Sequence, residues 1–484
     1  MRDYTALGLA TRGYNRCSMR PAGRFLSDEQ LVPTLLFILL VGFAVAVPAQ
    51  NDTWWHLRSG LEMWRTKHLL TTEAFSYTAY GAPLGNHWWL SQILFYGAYA
   101  LGGLKAVSAF AGGCALAAVA LSYGLIRGTT GVRFALLPLL IFATEPSWVA
   151  RPQVISMLLL ALTARLIVAD RVRWLPVLCV VWANAHALVV LGVAVAGVVA
   201  IEAIVWSREH VRRDVAIAIL CAVAPTVSPL GVYYWPRVLA TVSMSRALRL
   251  DEYRAPLQAA DFSFWIVGAL LAWVTWTQRR TLASRPRADR IALAASWVLA
   301  VAAATAARNI AFFAILALPA VSRLLHVPAA RRVRPPRPAG WPAYVIVAGT
   351  IAFTTILVGL RWRDHGAAIG WTPMPPALVQ AIRQCPDPIF NPMADGGPLM
   401  WAVPDRRVFI DSRMEAYPLA LFRRSQRADV AGDYADLFRD YHIGCAMVAT
   451  PSPMGERMAG DESMTKVYQD LSHAVYRRAD FTVP

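Results

Sequence analysis

The chain has 484 residues, of which 57% are hydrophobic and only 16% are charged, and its formal net charge is +17. Soluble domains carry about a quarter charged residues, and the deficit here falls before residue 361, so a wholly soluble protein is excluded. The positive charge sits mainly in short arginine-rich breaks between apolar stretches, as the positive-inside rule expects. We therefore predict that membrane lipids surround the chain and that it has no nucleic-acid partner.

The N-terminal segment, residues 1–28, is basic and precedes an apolar helix predicted over residues 29–47. A basic flank before the first helix predicts a cytoplasmic N-terminus, which places residue 51 on the outer face of the membrane. No small-residue cleavage site follows the apolar run, so we interpret this helix as retained in the membrane.

The first outer loop, predicted over residues 50–103, is polar and rich in aromatic residues. Its apolar segment 88–101 has about 14 residues, whereas a helix needs about 20 to span the membrane. We predict that this segment lies at the membrane surface. With this assignment, every arginine cluster between later helices falls on the cytoplasmic side, whereas all of them would fall outside if the segment crossed.

The membrane domain is predicted over residues 29–361 as a polytopic bundle of about eleven transmembrane helices. The arginine- and proline-rich stretch 326–342 is predicted to be a cytoplasmic linker within it. After the first helix, the spans are predicted at residues 104–126, 134–149, 153–168, 174–187, 189–206, 214–230, 262–278, 291–307, 310–326 and 342–360.

Residues 362–484 read as a soluble α/β domain on the outer side of the membrane. The pattern predicts strands at 388–390, 407–410 and 446–448 and one more within 466–477, helices at 378–383, 417–424 and 432–439, and turns at Gly396-Gly397 and Asp405. Cys385 and Cys445 both lie in this domain and would pair in an oxidising compartment. We favour two separate buried thiols.

The densest chemical signal is the run Asp52-Thr-Trp-Trp-His56, just past the outer end of the first helix. A carboxylate at the membrane interface can act as a general base or hold a divalent metal. The alternative, weighed about evenly, is an interfacial aromatic belt with one solvated aspartate. His56 lies one helical turn from Asp52, where it can orient the carboxylate or contact a phosphate.

Several further stretches, together with the order of these elements, resemble the GT-C superfamily of membrane glycosyltransferases. The resemblance is to the branch of protein mannosyltransferases, lipid A aminoarabinose transferases and their uncharacterised bacterial relatives. The stretches are Asp52-Thr-Trp-Trp-His-Leu-Arg-Ser-Gly60, Phe75-Ser-Tyr-Thr78, Asn86-His-Trp-Trp-Leu-Ser-Gln92, Arg151-Pro-Gln153, Trp182-Ala-Asn-Ala-His186, Arg308-Asn-Ile-Ala-Phe-Phe313, Asn391-Pro, Asp395-Gly-Gly-Pro-Leu-Met-Trp401 and Val408-Phe-Ile-Asp-Ser-Arg413.

By this resemblance, Asp52 matches the catalytic acid of the first outer loop. The family implies inverting transfer of a sugar from a polyprenyl-phosphate donor to a hydroxyl of a lipid, glycan or protein acceptor, at the outer face of the bacterial plasma (inner) membrane. Many members carry paired acids in this loop, but position 51 here is asparagine. We therefore favour a lone base, with Glu73 or Glu145 as distant second acids; no cofactor is certain, and a divalent metal is left open.

A phosphate leaving group calls for arginines at the outer face. The candidates are Arg58, Arg151, Arg254 and Arg308; interfacial arginines also commonly snorkel to lipid head groups. We favour Arg151 and Arg308, because each lies at an outer turn between two predicted spans.

Other polar residues of the outer face are weaker candidates. His87 and His186 are further predicted substrate-binding residues, although a lone histidine such as His186, beside Asn184, is more often structural. Asp411 and Arg413 follow a predicted strand, where either a site or a local ion pair would fit.

Two other function classes stay open at this stage. One is a non-catalytic protein of the same fold that acts in envelope glycan assembly. The other is a transporter, which we disfavour because the spans carry few deep charges and no inverted repeat is visible in the sequence.

Overall fold

The structure is a computed structural model that describes residues 26–326 and 338–479. The predictions for the basic N-terminal segment and for the arginines of the 326–342 linker fall almost entirely outside these residues. In the membrane domain the described helices are α1 Asp28–Ala44, α2 Asn51–Thr66, α3 Trp89–Tyr123, α4 Thr130–Thr144, α5 Gln153–Val168, α6 Leu175–Ala185, α7 Val189–Val205, α8 Val211–Val223, α9 Tyr234–Ala247, α10 Phe262–Gln278, α11 Arg287–Thr305, α12 Ile310–Leu325 and α13 Trp341–Arg361.

The apolar helices make the chain a multi-pass membrane protein. Within the described residues, five helices are long and apolar enough to cross a membrane, or six if the sharply bent segment that contains α8 and α9 is one span. Four shorter apolar helices, at Gln30–Ala44, Gln153–Val168, Val172–Ala185 and Val189–Val205, lie between them in the chain or precede them. The count of about eleven spans therefore stays a prediction.

The core of the membrane domain is α12. Nearly all of its side chains are buried, including Phe312 and Phe313, and it packs against α4, α5, α10 and α11. At one end Arg323 is paired with Asp289 of α11 at 2.6 Å. Peripheral α13, by contrast, packs mainly on α1 and leaves most of its apolar surface free for lipid.

Helix α3 is broken at Gly102-Gly103, where both residues leave the helical conformation. Gly103 has a φ of +65°, which a glycine adopts without the cost that a Cβ would bring. The break separates the short apolar segment from the following span, as the sequence predicted. Its position at the membrane surface stays a prediction.

Residues 51–66 were expected to be part of a polar loop, but they form the helix α2. The Thr53 hydroxyl accepts the Gln50 amide at 2.9 Å, which caps the first turn. One face of α2 packs on α3, and the opposite side is covered by the C-terminal domain. Because both sides are covered, nine of its residues are buried despite its polar composition.

The C-terminal domain, as far as it is described, is a four-stranded sheet with helices around it, so the small α/β domain is confirmed. The sheet has the order β1-β2-β4-β3; β1 and β2 are parallel and the other pairs are antiparallel. Its elements are α14 Pro376–Arg383, β1 Ile389–Phe390, α15 Met393–Ala402, α16 Leu419–Ala431, α17 Ala435–Asp440, β2 Cys445–Ala449, α18 Pro453–Ala459, β3 Met464–Gln469 and β4 His473–Arg478.

Four predictions for this domain were wrong. Segment 407–410 is not a strand of the four-stranded sheet. Its residue Val408 instead forms an isolated parallel bridge with Ser76 of the first outer loop. Residues 466–477 lie in a hairpin of two strands, β3 and β4. Gly396-Gly397 lies inside α15 and makes no turn. Cys385 and Cys445 are bonded as a disulfide that links the loop after α14 to β2.

Candidate active site

One cavity of about 460 Å³ lies between the membrane domain and the C-terminal domain. Its walls come from the first turns of α2, the loops before α3 and α5, the turn between α6 and α7, and helix α9 with the loop after it. The turn before α12, the start of α15 and the tail segment 412–415 complete them. The chemically reactive residues among those lining it are Asp52, His56, His87, Arg151, His186, Asp251, Glu252, Tyr253, Arg308, Ser412 and Glu415.

Asp52 lies in the first turn of α2, where the positive end of the helix dipole favours a carboxylate. It is only 8% exposed. Its Oδ2 is 2.5 Å from Nη2 of Arg151, and its Oδ1 accepts from the Trp55 indole at 3.2 Å and from the hydroxyl of Ser412. The two oxygens therefore face two different walls, one from the membrane domain and one from the tail.

Local hydrogen bonds bring Arg151 to this position. The Thr53 hydroxyl donates to the carbonyl of Ala150 at 2.8 Å, and the Ala150 amide donates to the carbonyl of Pro48 at 3.0 Å. The turn before α5 is thus fastened to the first turn of α2. Arg151 and Asp52 meet because Ala150, the residue before Arg151, accepts a hydrogen bond from Thr53, the residue after Asp52, which lies 97 residues away in the chain.

Glu252 links the two favoured arginines. Its Oε2 lies 3.3 Å from Arg151 Nη1, and its Oε1 lies 2.6 Å from Arg308 Nη1. Arg308 also donates to the hydroxyl of Tyr253 at 3.0 Å. Asp52, Arg151, Glu252 and Arg308 therefore form one chain of alternating charges along the cavity wall.

The charge of Arg151 is fixed by this arrangement. Burial would by itself lower the pKa of its guanidinium, but the carboxylates of Asp52 and Glu252 outweigh that effect and raise the pKa. Arg151 therefore stays cationic throughout the physiological pH range. A cation held between two carboxylates is well placed to receive a third anion if one of them is displaced.

Three histidines line the cavity, and they differ in whether their ring nitrogens have hydrogen-bond partners. Burial, helped by Arg151, lowers the pKa of His56 well below its usual value, and burial lowers the pKa of His87 to about 4. His56 Nδ1 and His87 Nε2 are buried without a hydrogen-bond partner among the described residues. His186 Nδ1 lies 2.8 Å from the Ser156 hydroxyl, so one of its nitrogens is already engaged.

Aromatic rings surround the first two histidines. The ring of His56 lies against Trp55 at a centroid distance of 3.6 Å, and that of His87 lies against Trp88 at 3.8 Å. Neutral imidazoles can donate hydrogen bonds to hydroxyl groups or accept hydrogen bonds from them. This wall can therefore bind a ligand that carries hydroxyl groups.

The tail segment 411–415 is locked in place by a buried ionic cluster. Arg413, 1% exposed, binds Asp411 at 2.6 Å and Glu73 of the first outer loop at 2.6 Å. Asp411 also accepts from the hydroxyl of Tyr417 at 2.5 Å. The Asp411–Arg413 pair is thus structural, and Glu73 joins it as the partner that fastens the tail to the outer loop.

Other residues that the sequence singled out lie away from the cavity. Arg58 faces Phe75 in a separate small cleft. Arg254 is paired with Asp261 at 2.5 Å. Glu145 is exposed in the turn after α4. Asn184 is used in packing, since it accepts from the Trp89 indole at 2.7 Å.

Five of these cavity residues were missed in the sequence. Asp251, Glu252 and Tyr253 lie between the spans predicted at 214–230 and 262–278, where acidic and aromatic residues had no distinguishing pattern. Ser412 lies inside the resemblance motif that ends at Arg413, and Glu415 lies just after it. Only the folded tail brings Ser412 to Asp52 and both residues to the cavity. Within residues 26–326 and 338–479, no group of three or more metal-binding side chains is close enough to hold an ion.

No protein-family model and no curated protein sequence matches the chain. Solved structures do match its fold. ArnT from Cupriavidus metallidurans, bound to undecaprenyl phosphate, is 14% identical with a TM-score of 0.51, and the match covers 94% of this chain and 98% of ArnT. The Archaeoglobus fulgidus oligosaccharyltransferase in its apo form is 12% identical with a TM-score of 0.52, covering 96% of this chain and 76% of that one. Both are GT-C glycosyltransferases, so the chain has the GT-C fold that its motifs predicted.

Proposed function

We propose that this protein is an inverting glycosyltransferase that moves a sugar from a polyprenyl-phosphate donor to an acceptor hydroxyl at the outer face of a bacterial plasma membrane. The observation that carries the proposal is that Asp52, Arg151 and Arg308 line one cavity. A base and two cations are the groups that such a transfer requires. The undecaprenyl phosphate bound by the structural neighbour ArnT supports a lipid phosphate as the ligand.

In the proposed reaction, Asp52 takes the proton from the acceptor hydroxyl as its oxygen attacks the anomeric carbon of the sugar. The bond between that carbon and the phosphate oxygen breaks, and the electron pair leaves with the lipid phosphate. Arg151 and Arg308 stabilise the negative charge of the leaving phosphate. Proton, nucleophile and leaving group are thereby accounted for without a metal-dependent step.

The sidedness of the site is also part of the proposal. The Cys385–Cys445 disulfide is typical of proteins outside the reducing cytoplasm, and it lies in the domain that closes the cavity. A C-terminal alkaline phosphatase fusion, which is active only outside the cytoplasm, should be active in cells. An inactive fusion on a membrane-inserted protein would contradict the outer-face assignment.

The Asp52→Asn variant tests the chemistry. The full chain in nanodiscs is mixed with a lipid extract of its native membrane, and new glycan products are followed by mass spectrometry. Loss of a general base should lower the rate by roughly 100-fold to 10,000-fold. Asp405→Asn is the matched control, because that carboxylate is 65% exposed on the tail and lies outside the cavity.

This comparison also separates the alternatives. A scaffold or a transporter of the same fold would give no product with the wild-type chain, or identical products with wild type and Asp52→Asn. Either result would reject the enzyme. Equal loss in Asp52→Asn and Asp405→Asn would point to a folding defect, which circular dichroism and thermal unfolding would reveal.

A further inference from the structure

The cavity contains a carboxyl group that the proposed reaction does not use. Glu415 lies on the tail segment that also carries Ser412, the partner of Asp52. Its Oε2 is completely buried and has no hydrogen-bond partner among the described residues. A buried polar atom without a partner is costly. Glu415 is one of the residues that line the cavity, so a ligand bound there would lie beside this carboxyl group.

The backbone that carries Glu415 is held from two sides. Arg413 anchors it to Glu73 and Asp411, and the Ala416 amide donates to the Arg413 carbonyl at 2.9 Å in a tight turn. The Ser412 hydroxyl fixes the same segment to Oδ1 of Asp52. Glu415 is therefore placed on a rigid support, as groups that position a substrate usually are.

The two oxygens of Asp52 divide the cavity into two sides. Oδ2 faces Arg151 and, through Glu252, Arg308; this is the cationic side, suited to the phosphate of the donor. Oδ1 faces Ser412 on the side of the tail. The arginines that would bind the phosphate contact Oδ2, so the acceptor hydroxyl is expected on the side of Oδ1. There it meets an oxygen that already accepts from Trp55 and Ser412, beside the tail segment that carries Glu415.

We infer that Glu415 is a positioning residue for the acceptor, and that its neutral carboxylic acid donates a hydrogen bond to an oxygen of the acceptor molecule. This inference rests on the proposed function, because it assumes that the cavity binds an acceptor hydroxyl beside Asp52. The ligand group that it predicts is an uncharged oxygen, such as a second hydroxyl or a ring oxygen, next to the hydroxyl that reacts.

The protonation of this carboxyl follows from its surroundings. Burial raises the pKa of Glu415 to about 8, and Arg413 only partly opposes the effect. The acid is therefore neutral below about pH 8 and becomes an anion above it. The charged or titratable groups that face it are Arg413, Asp411 and Glu73 around the tail segment, and Asp52, His56, His87, Arg151, His186, Asp251, Glu252, Tyr253 and Arg308 across the cavity.

The test compares Glu415→Gln, Glu415→Ala and the exposed control Glu456→Gln in the full chain. Glutamine keeps a neutral donor, whereas alanine removes it. We expect Glu415→Ala to raise the acceptor KM roughly threefold to tenfold, with little change in kcat. Above about pH 8, wild type and the control should lose acceptor affinity, while Glu415→Gln should not. Unchanged acceptor KM in Glu415→Ala, or a pH profile of Glu415→Gln equal to that of wild type, would overturn the inference.

A second measurement is independent of turnover. Infrared difference spectra of wild type minus Glu415→Gln should contain one protonated-carboxyl band at neutral pH that disappears above about pH 8. If no transfer is detected for wild type but the band is present, the proposed function fails while the neutral acid stands. If the band is absent, Glu415 is ionised at neutral pH and the inference is wrong even where transfer is found.

Discussion

Glu252 gives the sharpest prediction about the anion site. Its carboxylate contacts Arg151 at 3.3 Å and Arg308 at 2.6 Å. In the proposed complex, the phosphate would contact the same two guanidinium groups. A lipid phosphate must therefore displace an internal carboxylate before it can bind both arginines. Replacing this residue by glutamine keeps the shape of the side chain and removes the competing charge.

The size of the effect follows from the contacts. Hydrogen bonds to charged groups contribute about 1.5–3 kcal/mol, but Glu252 is 30% exposed, so solvent screening reduces the value to about 1–2 kcal/mol. Glu252→Gln should thus bind undecaprenyl phosphate roughly fivefold to 30-fold more tightly, at about 1.4 kcal/mol for each factor of ten. The gain should shrink as salt is added, because screening weakens the competing contact.

Binding of undecaprenyl phosphate to the full chain in nanodiscs, followed by microscale thermophoresis, checks this prediction. Glu62→Gln is a matched control, since Glu62 is 29% exposed and pairs with Arg58 outside the cavity. Weaker or unchanged binding by Glu252→Gln would show that the carboxylate does not compete with the phosphate. The two arginines would then be structural partners of Glu252.

Three further predictions concern stability in detergent. Gly397→Ala should destabilise the protein by about 1–3 kcal/mol and so lower its thermal unfolding temperature, because a Cβ there would lie 2.3 Å from the Asn51 carbonyl oxygen. Gly97→Ala should leave this temperature unchanged, because a Cβ at that position has no other atom within 4 Å. Burial lowers the pKa of His87 to about 4, so as the pH falls the unfolded chain binds this proton at a higher pH than the folded chain does. The stability of wild type should therefore fall between about pH 6.5 and pH 4, and that of His87→Asn should fall less. Arg413→Ala should cost about 3–5 kcal/mol by leaving buried carboxylates unpaired, whereas Arg439→Ala, in an exposed pair, should cost less than about 1 kcal/mol in the same melts.

Much of the membrane domain was predictable because its signals are local. The break of α3 at Gly102-Gly103 falls at the end of the predicted surface segment, which has too few residues to span a membrane. Asp52, Arg151 and Arg308 were singled out as charges at outer turns, and they do line one cavity. The short helices are less easily counted, because length and apolarity alone do not separate a tilted span from a buried helix.

The missed features depend on contacts between distant parts of the chain. Helix α2 was taken for a loop because its polar side chains are covered by a domain some 300 residues later, which no local pattern shows. Gly396-Gly397 suggested a turn, yet these glycines let α15 approach the backbone carbonyls of Asn51 and Ile410. Ser412 and Asp52 are separated by 360 residues, so their contact exists only in the folded protein.

That long separation in the chain determines when, during synthesis, the candidate active site is complete. Chains are made and fold from the N-terminus onward, so Asp52 and Arg151 are in place long before Ser412 and the Arg413 cluster have been synthesised. The membrane domain alone holds an unfinished cavity with one wall absent. Completion of the cavity therefore reports that the whole chain has been inserted and its last domain folded, and a truncated product lacks one wall of its candidate active site from the start.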